Sequence, residues 1–438
     1  MAEKTSPQIL TMELDKLRLN PKNARRHTPK QIRQIAESIK AFGFVGAILV
    51  DNDNMIVAGH GRYLALKLLG HTTVSVIRIS HLKPAAIRAF ALADNKLTDN
   101  STWDVAILAE NFRILLGEDL DFSLTDIGFE AAEIDALLLN LDDEDESDPD
   151  DRPLDPGPAV SRVGDLWTLG RHRLLCASSL ERESFARLLG DERAAIGFTD
   201  PPFGCGINGH VKGKGKRQHR EFVMGSGDMS EPELIEFFTT VFRLMAAFSR
   251  DGSLQYTFID SASLYALLTA CRAAFDRLIG TCVWHKPNAG MGSLYRSAHE
   301  LIVISKKGAA PHQNHVQLGK HGRHRTSVWT HAGANVFLKS AEDADLMAQH
   351  PTPKPVRLIV EALLDASSRG DIVLEPFCGS GSTLIAAERT GRVCRAIELD
   401  PLYVDLTIRR FRRHGGEDAV RQDGMTFSQL ESLGGDHD

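Results

Sequence analysis

The sequence predicts an α/β protein of two unequal bodies: a smaller α+β domain over residues 1–140 and a larger, doubly wound domain over 161–430. Three observations predict it. After residue 160 short apolar strands alternate with amphipathic helices, the pattern of a largely parallel sheet covered by helices. Near the C-terminal end a glycine-rich corner, Phe377-Cys378-Gly379-Ser380-Gly381, joins one such strand to a helix. Between the two bodies, Asp142–Asp151 hold eight acids and no base and run into the Pro- and Gly-rich "RPLDPGPAV". A like-charged segment with little to bury repels itself and stays extended, so residues 141–160 read as a linker.

Composition excludes several classes. With 42% hydrophobic and 25% charged residues in 438, the chain is neither disordered nor fibrous. It has no apolar run long enough for a membrane span, and its N-terminus lacks the pattern of a signal peptide, so a cytoplasmic protein is expected, without a membrane partner. The net charge of −7 is carried by the acidic segment, which leaves the remainder close to neutral. Charge therefore argues neither for nor against a nucleic-acid partner. None of the six cysteines forms a Cys-x-x-Cys pair, so free thiols and no metal site are expected.

In the smaller body, "HTPKQIRQIAESIKAFG" reads as a helix marked at both ends. Thr28 is the N-cap, Pro29 takes the first helical position, Gln31 completes a capping box and Gly43 stops the helix. Ile32, Ile35, Ala36, Ile39 and Phe42 form its apolar face. "GAILV" and "MIVAG" follow as paired strands around "DNDN". Then "GHGRYLALKLLG" opens a helix on a glycine corner, and "TVSVIRI" returns as a strand. In the larger body, "HRLLCAS", "AAIGFTD", "TCVWHK", "LIVISK" and "DIVLE" read as strands, and "EPELIEFFTTVFRLMAAFS" as a helix.

The glycine-rich corner brings backbone close to a ligand. Glu398 lies 19 residues past Gly379 at the end of the next strand, where an acid meets ribose hydroxyls in a nucleotide-binding βαβ unit. The third glycine of the dinucleotide fingerprint is replaced by Leu384, and no Gly-Lys-Ser/Thr follows. A ligand with a ribose but no phosphates fits, and S-adenosylmethionine is one. Asp400, followed by Pro401, reads as a helix N-cap rather than a ribose acid.

A second motif, Asp200-Pro201-Pro202-Phe203, ends the strand "AAIGFTD" on a rigid corner that carries an acid and an aromatic ring. Together with Glu375-Pro376-Phe377-Cys378-Gly379-Ser380-Gly381 and "HPTPKPVRLI", it resembles the amino-methyltransferases of DNA. The resemblance covers most of residues 161–412 and implies a Rossmann-like, S-adenosylmethionine-dependent methyltransferase domain. It implies catalysis by Asp200, Pro201, Pro202 and Phe203. Glu375, Pro376, Phe377, Gly379, Ser380, Gly381 and Glu398 would bind the cofactor, with Thr352 and Lys354 shaping its methionine end. The catalytic motif precedes the cofactor motif, as in the permuted group, whose members often form homodimers. The target-recognition region then falls at about 308–349, rich in histidine.

The chemistry accounts for these residue types. A lone pair delocalised into the ring makes an exocyclic amine a poor nucleophile. The Asp200 carboxylate and the Pro201 carbonyl could each accept one amine hydrogen, and Phe203 could stack on the base. Transfer is then an in-line displacement governed by positioning. A stacked base cannot reach such a pocket, so double-stranded DNA is expected to be read by base flipping. "GHVKGKGKRQHREF" interleaves glycine with Lys212, Lys214, Lys216, Arg217 and Arg220, a candidate arm for phosphates. Asp in first place resembles the adenine-N6 enzymes; N4-cytosine transfer is the alternative. Where related sequences carry Gly-Asp-Ser, this chain has Ala177-Ser178-Ser179. That change speaks for a further alternative, a catalytically inactive DNA-binding regulator.

Residues from about 9 to 100 resemble the ParB N-terminal domain of chromosome-partitioning proteins. The resemblance implies that Gly59, His60, Gly61 and Arg62, at a helix start, face a nucleotide such as CTP. The family's Gly-Glu-Arg-Arg is Gly-His-Gly-Arg here, one arginine fewer. ParB-like fusions of this kind occur on phages and mobile elements.

Overall fold

The computed structural model describes residues 8–139, 157, 159–202, 229–287, 295–316, 325–332 and 354–434. The chain divides into two compact units, Met1–Asn140 and Leu141–Asp438.

The smaller unit runs β1 (Ile9–Glu13), α1 (Pro29–Phe42), β2 (Ile48–Val50), β3 (Ile56–Ala58), α2 (His60–Leu68), β4 (Thr73–Arg78), α3 (Pro84–Asp99), α4 (Val105–Leu116) and α5 (Ala131–Leu139). Its sheet is four-stranded, in the order β1-β4-β2-β3. The pair read around "DNDN" is the antiparallel β2–β3 hairpin. Ile48, Val50, Ile56 and Val76 of the sheet close on Ala36 and Ile39 of α1 and Leu66 of α2.

Helix α1 begins as expected, with the Gln31 N–H donating to the Thr28 hydroxyl at 3.2 Å, and it ends at Gly43 with φ +74°. The reciprocal half of the capping box is not made. The Gln31 side chain turns instead to the ring of His27, at 3.0 Å. Phe42 is half-exposed rather than core, and its ring meets Phe122 edge-on at 4.8 Å.

The larger unit holds one ten-stranded sheet. Its strands are β5 (Leu166–Leu169), β6 (His172–Cys176), β7 (Ala194–Thr199), β8 (Ser249–Ile259), β9 (Arg277–His285), β10 (His299–Lys306), β11 (Val328–Thr330), β12 (Ile372–Glu375), β13 (Val393–Glu398) and β14 (Val420–Arg421). The order is β11-β9-β10-β8-β7-β12-β13-β6-β5-β14. The centre, β8-β7-β12-β13-β6, is parallel. Toward the edges the pairing turns antiparallel at β10, which lies between β8 and β9, and at β5 and β14. Helices α6 (Arg182–Leu189), α7 (Glu231–Ala247), α8 (Leu264–Ala274), α9 (Val356–Ala366), α10 (Ser382–Arg389), α11 (Pro401–Arg413) and α12 (Phe427–Gly434) complete it.

Every residue of β7 is buried, as central parallel strands covered on both faces require. Over this sheet lies a cluster in which Phe237, Phe238, Val241, Phe242 and Met245 of α7 meet Leu267 and Ala270 of α8. Ser230 and Glu233 close a full capping box at the start of α7. His172 is buried inside β6. Its Nδ1 accepts the Cys394 N–H at 2.8 Å, so its proton sits on Nε2, 2.7 Å from Glu388. Burial holds that ring neutral, a structural role. The described cysteines, Cys176, Cys271, Cys282, Cys378 and Cys394, are all free thiols.

Candidate active site

The sheet's connectivity brings the two motifs together. From β7 the chain crosses to β8 on one side, whereas β12, on the other side of β7, leads on to β13. The strand order therefore reverses between β7 and β12. In open α/β sheets ligands bind at the carboxyl ends of strands at such a reversal. Asp200 leaves the end of β7 and Glu375 ends β12, so both stand at that point. Glu398 ends β13 beside them. Because β8 and β9 are both antiparallel to β10, the end of β9 and the start of β10 open onto the same edge. This places Lys286 and Glu300 there too.

The glycine-rich loop is held from three directions. Gly379 donates its N–H to Glu398 Oε2 at 2.7 Å. The Thr407 hydroxyl on α11 donates to the Gly379 carbonyl at 3.1 Å. Arg410 binds the Ser380 carbonyl at 2.5 Å and its hydroxyl at 2.8 Å. Glu375, buried, accepts from the Phe377 N–H at 3.0 Å and the Thr383 hydroxyl at 2.9 Å, and burial pushes its carboxyl well up. Glu375, Pro376 and Phe377 thus form the loop's stem. The Ser179 hydroxyl donates to the Pro376 carbonyl, and the Ala177 N–H to the Glu398 carbonyl at 3.0 Å. The Ala177-Ser178-Ser179 segment therefore ties β6 to both sides of the loop.

The two glycines differ. Both have positive φ, +52° at Gly379 and +85° at Gly381. A side chain at Gly379 would meet nothing within 4 Å, so its Cα faces open space. At Gly381 a Cβ would lie 2.6 Å from Thr407 Cγ2. Gly379 keeps a surface clear and Gly381 permits close packing of loop on helix. Asp400 caps α11, accepting the Leu402 N–H at 3.0 Å, as its position before Pro401 predicts.

Glu398 faces the loop with both oxygens engaged by backbone, Oε2 by Gly379 and Oε1 by the Asp400 N–H at 2.9 Å. Each carboxylate oxygen keeps a second lone pair for a hydroxyl donor. Burial raises this carboxyl to about 7.

Asp200 stands at the head of a chain of charges. Its Oδ2 lies 2.7 Å from Lys354 Nζ, which is also 3.0 Å from Glu300 Oε2. Lys286 Nζ closes on Glu300 Oε1 at 2.5 Å. The Lys354 ammonium sits 5.2 Å from the centre of the Phe258 ring and 5.8 Å from that of Trp284. Burial raises the Asp200 carboxyl, against the pull of Lys354. Burial would raise Glu300 as well, yet the ammoniums of Lys354 and Lys286 hold it at about 2. Among the described residues Asp200 Oδ1 is buried with no hydrogen-bond partner.

The structure thus gathers Asp200, Pro201, Pro202, Lys354, Glu375, Pro376, Phe377, Gly379, Ser380, Gly381 and Glu398 at one sheet edge. Phe203, Thr352, Lys212, Lys214, Lys216, Arg217 and Arg220 lie outside the described residues, as does much of the 308–349 region. In the smaller unit Gly59, with φ +100°, caps α2. His60 is buried, and Gly61 packs against Ile35 and His27. Arg62 donates to the Ala47 carbonyl at 3.1 Å. Sequence reasoning did not single out Glu300 and Lys286, whose only signal is a charge at the end of an apolar strand.

Comparison with known proteins decides the family. A model described as DNA methylase matches residues 195–409, and a ParB N-terminal domain model matches 1–96. The larger unit belongs to the DNA methylase family, and the smaller carries a ParB N-terminal domain. A ParB-methyltransferase helix-turn-helix model matches 106–163, a segment the sequence reading passed over although α4 and α5 fall in it. The methylase is 26% identical over 156 residues to the type II methyltransferase M2.DpnII of Streptococcus pneumoniae, covering 34% of this chain and 56% of that protein. The chain therefore spans about half the length of that curated methyltransferase. The ParB domain is 40% identical over 82 residues to the ParB-like nuclease domain-containing protein YnaK of Escherichia coli (strain K12), covering 19% of this chain and 92% of that protein. Among solved structures, the PvuII DNA methyltransferase, cytosine-N4-specific, matches 56% of this chain and 87% of its own at 18% identity and a TM-score of 0.43.

The contrast between the two glycines predicts unequal costs. Gly379→Ala should lose about 1 kcal/mol, the left-handed backbone penalty alone, and Gly381→Ala about 3 kcal/mol, because overpacking against Thr407 adds to it. Urea unfolding of the two variants measures this, and equal losses would contradict the packing role of Gly381.

Proposed function

We propose that the protein transfers a methyl group from S-adenosylmethionine to the exocyclic N6 amine of adenine in double-stranded DNA. The supporting observation is Asp200, followed by its two prolines, at the same strand-order reversal as the Glu375–Gly381 loop, with Oδ2 engaged and Oδ1 without a hydrogen-bond partner among the described residues.

The residues present suit this cofactor. The open face at Gly379 allows close approach to backbone, and Glu398 offers lone pairs to ribose hydroxyls. In the sequence no Gly-Lys-Ser/Thr follows the loop's glycines, as a phosphate-binding loop requires. The bound cofactor supplies an electrophilic sulfonium methyl. Asp200 Oδ1 accepts one amine hydrogen and the Pro201 carbonyl the other, which favours a tetrahedral nitrogen whose lone pair is localised toward the methyl group. The amine nitrogen forms the new N–C bond as the S–C bond breaks and a thioether leaves. The proton shed by the nitrogen passes to Asp200, whose raised carboxyl suits it to receive one before release to water. Phe203 stacks on the flipped base, and Lys212, Lys214, Lys216, Arg217 and Arg220 contact phosphates. Asp200 in first place favours adenine over cytosine.

Labelled S-adenosylmethionine and unmethylated DNA test the reading. Nucleoside analysis should find N6-methyladenine, and Asp200→Ala should lower the yield by about 100-fold or more. N4-methylcytosine would reassign the base, and binding without any transfer would make the protein a regulator.

Cofactor affinity should depend on pH. The form of Glu398 that accepts from ribose is the carboxylate, and burial raises this group to about 7. Its ionised fraction falls as pH drops through that value, so binding weakens toward acid. The Kd should be about tenfold higher at pH ~6 than at pH ~8, and weak but flat in Glu398→Gln. A flat profile for the unaltered protein would remove Glu398 from the binding step.

A further inference from the structure

We propose that Glu300 is a positioning residue for methyl transfer, acting on Asp200 through Lys354, with Lys286 fixing Glu300 in turn. The proposal rests on the reading that Asp200 accepts hydrogens from the substrate amine. Its basis is the unbroken run of contacts from Asp200 Oδ2 to Lys354 at 2.7 Å, Lys354 to Glu300 Oε2 at 3.0 Å, and Glu300 Oε1 to Lys286 at 2.5 Å.

The four groups come from separate parts of the fold. Asp200 follows β7, Lys354 precedes α9, Glu300 opens β10 and Lys286 follows β9. Glu300 and Lys286 are set side by side by strand register, since Glu300 is paired with Trp284 and His299 with His285. Trp284 underlies both ammoniums, with Lys286 Nζ 4.3 Å and Lys354 Nζ 5.8 Å from its ring centre. Lys354 and Glu300 are both largely buried, their side chains 13% and 19% exposed. Partly desolvated charges of this kind are costly unless paired, and here they pair in alternation.

Two consequences follow from the order of charges. First, Lys354 is shared. An ammonium with one carboxylate partner can settle between both oxygens of that partner. With Glu300 drawing it from the far side, Lys354 meets Asp200 at Oδ2, and Oδ1 keeps its lone pairs for the amine. Secondly, two carboxylates and two ammoniums sum to zero. The transition state brings a positive methyl onto an amine that becomes cationic. Without Glu300 the cluster would carry a net positive charge beside it, opposing the transfer. The charged groups facing Asp200 are Lys354, Glu300 and Lys286, together with Glu375 at the end of β12.

The test compares the full-length protein with Glu300→Gln, Glu300→Asp, Lys286→Gln and Asp200→Asn. Steady-state methyl transfer is followed across pH, and folding is checked by circular dichroism and thermal unfolding. Glu300→Gln should lower kcat by about tenfold or more while KM for S-adenosylmethionine stays within about threefold. Loss of a negative charge should also move the acid limb of its kcat profile to lower pH. Glu300→Asp should restore part of kcat, and Lys286→Gln, which leaves Glu300 unfixed, should lower kcat less and, by removing a positive charge, move the acid limb to higher pH. If Glu300→Gln does not fold, Lys286→Gln decides by the same two readouts. Unchanged kcat and acid limb in a folded Glu300→Gln, with Asp200→Asn inactive, would overturn this proposal alone. An active Asp200→Asn would overturn the underlying reading of Asp200. A raised KM for the cofactor at unchanged kcat would make Glu300 a wall of the cofactor pocket and also overturn the proposal.

Discussion

The strands on either side of the order reversal, β7 and β12, carry no charge before their ends, and this constraint organises the larger unit; the charge that β13 holds mid-strand, Arg395, is paired with Glu192 at 2.7 Å. β7 is buried throughout, and β12 and β13 are nearly so. The first acids these segments can carry stand where the strands end, as Asp200, Glu375 and Glu398. Parallel alignment puts all three ends on one edge, and the strand-order reversal between β7 and β12 opens a crevice there. Asp200 and the glycine-rich loop are neighbours because the strands that carry them end side by side at that reversal.

The three acids differ in exposure and in surroundings, Glu375 being buried and Asp200 and Glu398 partly so. Glu375 is enclosed with hydrogen bonds to its own loop, and its carboxyl is pushed far up. Glu398 lies among backbone N–H donors and stays near neutrality. Asp200 alone meets a side-chain cation, and that cation is shared with Glu300. One fold edge thus carries a structural stem, a carboxylate held by backbone N–H groups and a carboxylate held by a shared ammonium, distinguished by what each oxygen touches.

Much of this was legible in the sequence. The strands, the glycine-rich corner with its acid, the N-cap at Asp400 and the start of α1 are local features, governed by periodicity, φ and capping. What escaped depends on the order of strands. Lys354 resembles a cofactor-pocket lysine by its motif, yet its ammonium lies on Asp200 and Glu300, residues far away in the chain and joined to it only by sheet topology. Glu300 and Lys286 read as charges flanking apolar strands until the antiparallel insertion of β10 sets them together. The half-made capping box at Gln31 has a local origin instead, because the ring of His27, four residues earlier in the chain, competes for its side chain. The helix-turn-helix segment was missed for a different reason: α5 runs up to the acidic segment, and that segment reads from its composition as a linker alone.

Binding and transfer can be separated in one comparison. Asp200→Asn keeps the shape of the carboxylate and leaves the glycine-rich loop and Glu398 untouched. The account predicts that this variant binds labelled S-adenosylmethionine within about threefold of the unaltered protein but transfers methyl groups in a single turnover at least about 100-fold more slowly. Loss of cofactor binding together with transfer, or transfer at an undiminished rate, would contradict the assignment of Asp200 to the substrate amine.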